Sequence, residues 1–420
     1  MPPDPGEAMS ARRLYPPQWR LACATLEAVL RAGAAADHRL HAAFREQRNM
    51  GSRDRAAVTA LVYGVLRDLR RLQRIAGCSD ANALCALQAL ESGYADVPHL
   101  AALGFAGAEA MAHRLRVFDP AALTPAERYN VPDAIYAYWQ AELGADAAAA
   151  LAQDLQRQAP VDLRVNALKA TREQAQRALA ASGLAAMPTP YAPLGLRLHR
   201  RVSLTALTAY RDGWIEPQDE GSQLLALLVA ARPGERIVDY CAGAGGKTLA
   251  LAAQMQDRGT LVAMDIDVGR LERLKPRLQR AGVRIVSLLP VDAAQVRVAD
   301  FDAVLVDAPC SGTGTWRRQP EARLKALDLD ALARQQYEIL ARAARLVRPG
   351  GRLVYATCSL LRAENDAVVE RFCARHPDFL EEDAGAVLAA QGIALPGRRL
   401  RLYPHVHGTD GFFGACLRRR

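Results

Sequence analysis

Apolar residues recur along this chain at two spacings, and the change between them falls near its middle. Gln18 to Ala32 places Leu21, Ala24, Leu26, Val29 and Leu30 on one helical face, with Gly33 as its stop. Arg53 to Ile75 repeats the pattern through Val58, Leu61, Val62, Val65, Leu66, Leu69 and Leu72, with Ser52 where a cap belongs. Ala81 to Phe118 stays rich in alanine and leucine with a weaker period, so the first third reads as all helix. A helix from Pro132 to Gln158 then leads to a strand-like segment, Val161 to Asn166. A helix near Thr171 to Ser182, prolines at 188, 190 and 193, and strand-like Leu196 to Val202 follow, which predicts a small α/β module.

From Asp219 onward buried-type strands alternate with helices, the signature of a doubly wound, Rossmann-like α/β sheet. The strands are Arg236–Tyr240, Thr260–Asp265, Val283–Leu289, Phe301–Asp307 and Arg352–Thr357. A helix starts at Lys247, and the helix after the second strand carries Pro276, which should kink it or end it early. A long helix from Leu329 to Val347 is turned into the next strand by Pro349-Gly350-Gly351. The expected parts are 1–128 (helical), 129–215 (small α/β) and 216–420 (Rossmann-like).

Composition narrows the picture. At 420 residues, half of them apolar, the chain can build more than one core. No run approaches the ~18 apolar residues of a membrane span. The start, Met1-Pro2-Pro3-Asp4-Pro5, lacks the regions of a signal peptide, so a cytoplasmic, non-membrane protein is expected. The formal charge of +9 suits a nucleic-acid partner. Lysine occurs only at 169, 247, 275 and 325, however, and an arginine excess of this kind equally reflects a GC-rich genome. Eight cysteines without a Cys-x-x-Cys pair argue against a zinc site and a disulfide framework, and nothing demands more than a monomer.

The first chemical signal is the turn Cys241-Ala242-Gly243-Ala244-Gly245-Gly246-Lys247-Thr248. A Walker loop needs glycine at 241 and a dinucleotide fingerprint needs glycine at 248, so both phosphate readings fail on spacing. Asp239 precedes the turn, and Asp265 ends the next strand, where a carboxylate can grip ribose hydroxyls. Asp292 ends a third strand and can accept from an adenine amine. The ordered set describes an adenosine cofactor without a pyrophosphate requirement, and S-adenosyl-L-methionine fits it best.

The second signal is a pair of strand-ending cysteines, in Asp307-Ala308-Pro309-Cys310-Ser311 and Tyr355-Ala356-Thr357-Cys358-Ser359. Open α/β sheets bind ligands at the carboxyl ends of their strands, so the two thiols should face one crevice. C5 of cytosine is a poor nucleophile until a thiolate adds to C6. That chemistry needs an activated thiolate, a second group for release and a partner at the ring edge. Cys310 and Cys358 can be nucleophile and release group, with Asp307 at the ring edge or the cofactor. Cys23, Cys78, Cys85, Cys373 and Cys416 read as packing, as does Cys241 in the turn.

These segments resemble the RNA cytosine-C5 methyltransferases of the Sun (Fmu) family. The resemblance rests on Asp219-Glu220-Gly221-Ser222-Gln223, the turn at 241–248, and Asp307 to Gly314. It extends through Arg317-Arg318-Gln319-Pro320-Glu321, Ala356-Thr357-Cys358-Ser359 with Glu364-Asn365, and Gly408-Thr409-Asp410-Gly411-Phe412-Phe413. It implies a nucleophilic Cys358, release by Cys310, and cofactor contacts from Cys241 to Lys247 with Asp265, Asp292 and Asp307. Tyr63-Gly64-Val65-Leu66-Arg67 is similar to the NusB-like domain of the bacterial small-subunit (16S) rRNA branch, which makes that rRNA the expected partner. Ala244, Thr315-Trp316 and Glu321 depart from the family pattern. Trp316 beside Arg317 and Arg318 can stack a base or pack its own loop down. A DNA cytosine-C5 methyltransferase would need a target-recognition region larger than the tail after Cys358. An amino-group methyltransferase would need an Asn/Asp-Pro-Pro-aromatic motif at the fourth strand. A non-catalytic ribosome-assembly factor would show decay in the cysteine or cofactor motifs, and none is visible.

Overall fold

The computed structural model describes residues 13–32, 35–291, 293 and 297–420; Gly33 and Asp292 therefore lie outside the described residues. The chain forms two compact units. The first takes the chain up to Gln158 together with Trp316–Ala326; the second takes Ala159–Thr315 and Leu327–Arg420. No helix among the described residues is long and apolar enough to cross a membrane.

The first unit is helical. Pro16–Ala32, Ser52–Arg67, Leu69–Ala76 and Ala81–Glu91 close around Trp19, Leu26, Leu61, Leu66, Leu72, Leu84 and Leu87, all buried. The apolar faces read from the sequence form this core, but three helix boundaries differ. Gly51, in extended conformation, caps the helix that Ser52 begins, and no side chain caps it. The run from Arg53 to Ile75 breaks at Asp68, because the Asn130 side-chain amide takes the carbonyls of Leu66 and Arg67 that would have continued the ladder. Gly144, at φ 83°, divides the next stretch into Asp133–Leu143 and Ala145–Gln156.

Trp316 decides between its two readings in favour of packing. It is 1 % exposed, its ring lies 5.7 Å from that of Trp139, and the Arg323 guanidinium sits 5.4 Å above it. Arg317 pairs with Asp154 at 3.3 Å. Glu321 accepts from the Ala36 amide at 2.9 Å, satisfying an orphan donor where Ala36–Glu46 starts. Arg323 donates to the Leu155 carbonyl at 2.7 Å.

The second unit holds two sheets. In the smaller, β1 (Val161–Val165), β2 (Ala186–Pro188), β3 (Gly195–Leu198) and β4 (Ile215–Pro217) lie antiparallel in the order β2-β3-β1-β4. The helix Arg172–Ala181 starts from a capping box made by Thr171 and Gln174. The strand expected to reach Val202 stops at Leu198.

The larger sheet contains β5 (Arg236–Asp239), β6 (Thr260–Asp265), β7 (Val286–Pro290), β8 (Phe301–Asp307), β9 (Val347–Thr357), β10 (Phe379–Glu382), β11 (Leu400–Leu402) and β12 (Phe412–Arg419). Its order is β10-β12-β9-β8-β5-β6-β7, with β11 against β12. β5 to β9 run parallel, while β12 is antiparallel to β9. Two expectations are corrected. Pro349-Gly350-Gly351 does not precede β9 but lies within it, absorbed where the pairing with β8 slips between Phe301 and Ala303. The helix Val268–Ala281 runs through Pro276; that proline and Glu272, whose carbonyl loses its donor, are both exposed, so water can replace the missing bond.

The packing of Trp316 makes a prediction. Trp316→Ala should cost the first unit about 3–5 kcal/mol, as for other buried aromatic truncations. Calorimetry should show a lowered transition for that unit, and an unchanged transition would refute the packing assignment.

Candidate active site

β8 lies between β5 and β9, so the carboxyl ends of all three meet along one rim of the sheet. The polypeptide leaves β5 at Asp239 and turns through Tyr240 to Gly245 into the helix Gly246–Gln254. Gly245 caps that helix at φ 81°, and a Cβ there would stand 2.1 Å from a Leu274 methyl, so both backbone shape and space require glycine. The Gly243 amide donates to Asp265 Oδ2 at 2.8 Å, and Asp265 Oδ1 accepts from the Asp267 amide at 2.8 Å. Each oxygen keeps a lone pair for a further donor. Ala242 is buried, and the Ala244 carbonyl accepts from Arg277.

Beneath the turn, Asp239 Oδ2 accepts from the Thr248 hydroxyl at 2.7 Å, whereas its Oδ1 is buried without a partner. Burial, then the charges of Asp307 and Asp265, push this carboxyl up to about 6, against the relief given by Thr248 and Lys247. Lys247 is nearly buried and pairs through Nζ with Asp307 Oδ2 at 2.6 Å. Burial favours its neutral form, but Asp307, Asp239 and Cys358 outweigh that and hold the ammonium above its ordinary range. The Phe412 ring lies 5.9 Å from Nζ.

Cys310 follows β8 and Cys358 follows β9, and their sulfurs stand 3.4 Å apart, both half-buried. The loops that bear them are bound together. Gly314 donates its amide to the Cys358 carbonyl at 2.9 Å, and the Leu360 amide donates to Thr313 Oγ1 at 2.8 Å. Gly411 donates to the Gly314 carbonyl at 2.8 Å, and a Cβ on Gly314 would fall 2.1 Å from the Gly411 oxygen. The Asp410 amide reaches Asp219, which caps the helix Glu220–Leu228. Separate motifs along the chain thus meet at one rim.

Sequence reasoning placed Cys310, Cys358, Asp307, Lys247, Asp265 and the turn in this region, and the structure brings them together. Cys241 packs against the sheet's core, where burial pushes its thiol up strongly. Cys23, Cys85 and Cys416 are buried as expected, but Cys78 is exposed. What the sequence reading missed is the Lys247–Asp307 pair and the role of the serine after each cysteine. The Ser311 and Ser359 hydroxyl oxygens stand 3.1 Å apart, and the repeated Cys-Ser was the available signal.

Comparison with known proteins identifies the family. Residues 226–418 match the 16S rRNA methyltransferase RsmB/F family, and residues 131–205 match the ferredoxin-like domain of RsmF/B-like methyltransferases. Ribosomal RNA small subunit methyltransferase B of Xylella fastidiosa is 36 % identical over 398 residues, covering 87 % of this chain and 90 % of that protein. The chain belongs to the RsmB/F methyltransferase family. Among solved structures, PH0851 is 26 % identical with a TM-score of 0.78, covering 96 % of this chain and 99 % of that one. A methyltransferase homologue from Pyrococcus horikoshii is 28 % identical with a TM-score of 0.61, covering 72 % and 100 %. This RsmB/F member is an RNA methyltransferase with a Rossmann-like domain and a helical N-terminal region.

The buried Asp239 makes the site's pH response testable. Its folded-state value of about 6 exceeds the unfolded 3.8, so between those values the unfolded chain has lost a proton the folded chain keeps. Stability from this group therefore falls as pH rises through that window and is flat above it. The melting temperature of Asp239→Asn minus that of wild type should grow between pH 4 and 6.5. A difference independent of pH would contradict the assignment.

Proposed function

We propose that this RsmB/F member methylates C5 of a cytosine in small-subunit (16S) rRNA, with S-adenosyl-L-methionine as methyl donor and a transient bond between Cys358 and C6. The observation that supports it most is the pair of sulfurs 3.4 Å apart beside the glycine turn. Both cysteines are partly exposed.

The turn fits the cofactor. Around Gly243 there is open space, with nothing within 4 Å of the Cβ it lacks. Asp265 keeps acceptor capacity for ribose hydroxyls, and a buried Asp239 oxygen stands unpartnered below. The backbone from Cys241 to Lys247, with Asp265, Asp307 and Asp292, would hold S-adenosyl-L-methionine, which when bound supplies an electrophilic methyl group.

The residues of the chain do the rest. Cys358, as thiolate, adds to C6 and leaves C5 electron-rich. After C5 is methylated, its proton passes to a base, the C6–sulfur bond breaks, and the ring double bond re-forms as the thiolate departs. Cys310, still protonated, donates its S–H toward the departing sulfur and so assists release. Asp307, with its charge balanced by Lys247, faces the ring edge or the cofactor. The base is reached in single-stranded or opened RNA. Residues 1–128 are assigned to docking that RNA, 129–215 to linking, and 216–420 to catalysis, and the +9 charge favours the polyanion.

Methyl transfer to total RNA, followed by nucleoside analysis, tests the reading. Wild type should yield 5-methylcytidine in small-subunit rRNA, and Cys358→Ala should lose at least about 10³-fold of that activity, as for other removed nucleophiles. Cys310→Ala should instead accumulate a protein–RNA adduct that survives a denaturing gel. An adduct held by Cys358→Ala would reverse the two roles. RNA left unmethylated by wild type would favour an assembly factor.

A further inference from the structure

Behind the two thiols lies a buried carboxylate that neither cofactor binding nor attack on the base requires. Glu364 is 0 % exposed. Its Oε1 accepts from the Ser311 amide at 2.8 Å and from Gln336 Nε2 at 2.9 Å. Its Oε2 accepts from both the Ser311 and the Ser359 hydroxyls. One carboxylate thus binds the residue after each cysteine, although the two loops are far apart in sequence. Gln336 anchors the arrangement further through the Pro309 carbonyl at 3.0 Å, directly before Cys310. The Tyr355 hydroxyl donates to the Glu364 carbonyl and holds its backbone.

Two N–H and two O–H donors thus converge on the Glu364 carboxylate in a buried place. A fixed negative charge then stands beside two sulfurs that cannot both ionise at 3.4 Å. The charge is not shared evenly. The Cys310 thiol is held well above its ordinary value by the Cys358 sulfur, by burial and by the Glu364 charge. Cys358, on the other side, interacts with the Lys247 ammonium. Tyr355 also interacts with Cys310, and burial keeps it a neutral phenol.

We propose that Glu364 is a positioning residue that tells the two thiols apart: by clamping Ser311 and Ser359 with a buried charge, it fixes the sulfur spacing and keeps Cys310 a thiol, leaving Cys358 to become the thiolate. The proposal rests on the methyltransferase reading for its consequence, but its physical content concerns the free protein. A neutral Cys310 beside Cys358 donates a hydrogen bond to the attacking and the departing sulfur alike. Loss of the carboxylate charge removes the asymmetry while both cysteines remain.

The test is limited alkylation by iodoacetamide, below one label per chain, of the full-length protein without RNA or methyl donor. Rates at Cys310 and Cys358 are read from peptide masses between pH 6 and 9.5. In wild type, Cys310 should react at least about tenfold more slowly than Cys358 at pH 7.5, a one-unit separation. Glu364→Gln should speed Cys310 about five- to tenfold and move its profile to lower pH, since a nearby negative charge has gone. Glu364→Asp, which keeps the charge, should leave Cys310 slow. Equal wild-type rates would overturn the proposal with no variant needed, as would an unchanged Cys310 profile in a folded Glu364→Gln. If Glu364→Gln does not melt cooperatively, wild type and Glu364→Asp decide. Failure of the methyltransferase reading would appear separately, as wild type that transfers no methyl group to RNA.

Discussion

The constraint on which this site depends is the position of β8 between β5 and β9 in a parallel run. Parallel neighbours end on the same edge of a sheet, so the turn after β5 and the loops after β8 and β9 must share one rim. Once that order is set, residues 241, 310 and 358 come together although more than a hundred positions of sequence separate the first from the last. The antiparallel β12 completes the rim, because the chain entering it passes Gly411 against Gly314 with no room for a side chain. Sheet order brings the loops near one another, and the glycine contact and the serine bonds hold them there.

Electrostatics then decides what the assembled groups can do. Buried Asp239, Asp265 and Glu364 and half-buried Asp307 bring four carboxylates to one region, where Lys247 pairs with Asp307. Leaving buried charge uncompensated is costly, and each carboxylate finds a different remedy. Asp307 takes the ammonium, Asp265 takes backbone amides, Glu364 takes hydroxyls, an amide and a side-chain amide, and Asp239 moves toward protonation. That unequal treatment of like groups gives the two cysteines different surroundings within one crevice.

Much of this was legible in the sequence because doubly buried parallel strands read as unbroken apolar runs ending in chemistry-bearing residues. Val304 to Val306 ahead of Asp307, and Leu353 to Ala356 ahead of Thr357 and Cys358, are such runs. The features that escaped have partners distant in the chain. Nothing local to Asp68 shows a helix break, since the cause is Asn130. Trp316 beside two arginines can stack a base or pack its loop until Trp139 is placed against it. Pro276 breaks a helix only where water cannot replace the lost bond. Glu364 lies within reach of Cys358 in sequence, yet its link to Ser311 spans 53 positions, and no periodicity reports a bond of that kind.

The central claim is that of two neighbouring thiols, Cys358 alone bonds to the base. RNA carrying 5-fluorocytidine at its cytosines has no removable C5 proton after methylation, so the intermediate cannot resolve. Tandem mass spectrometry of the nuclease- and protease-trimmed wild-type complex locates the linkage. The account predicts a methylated fluorocytidine joined to the peptide through Cys358 and none through Cys310. Linkage at Cys310, or turnover with no trapped peptide at all, would contradict it.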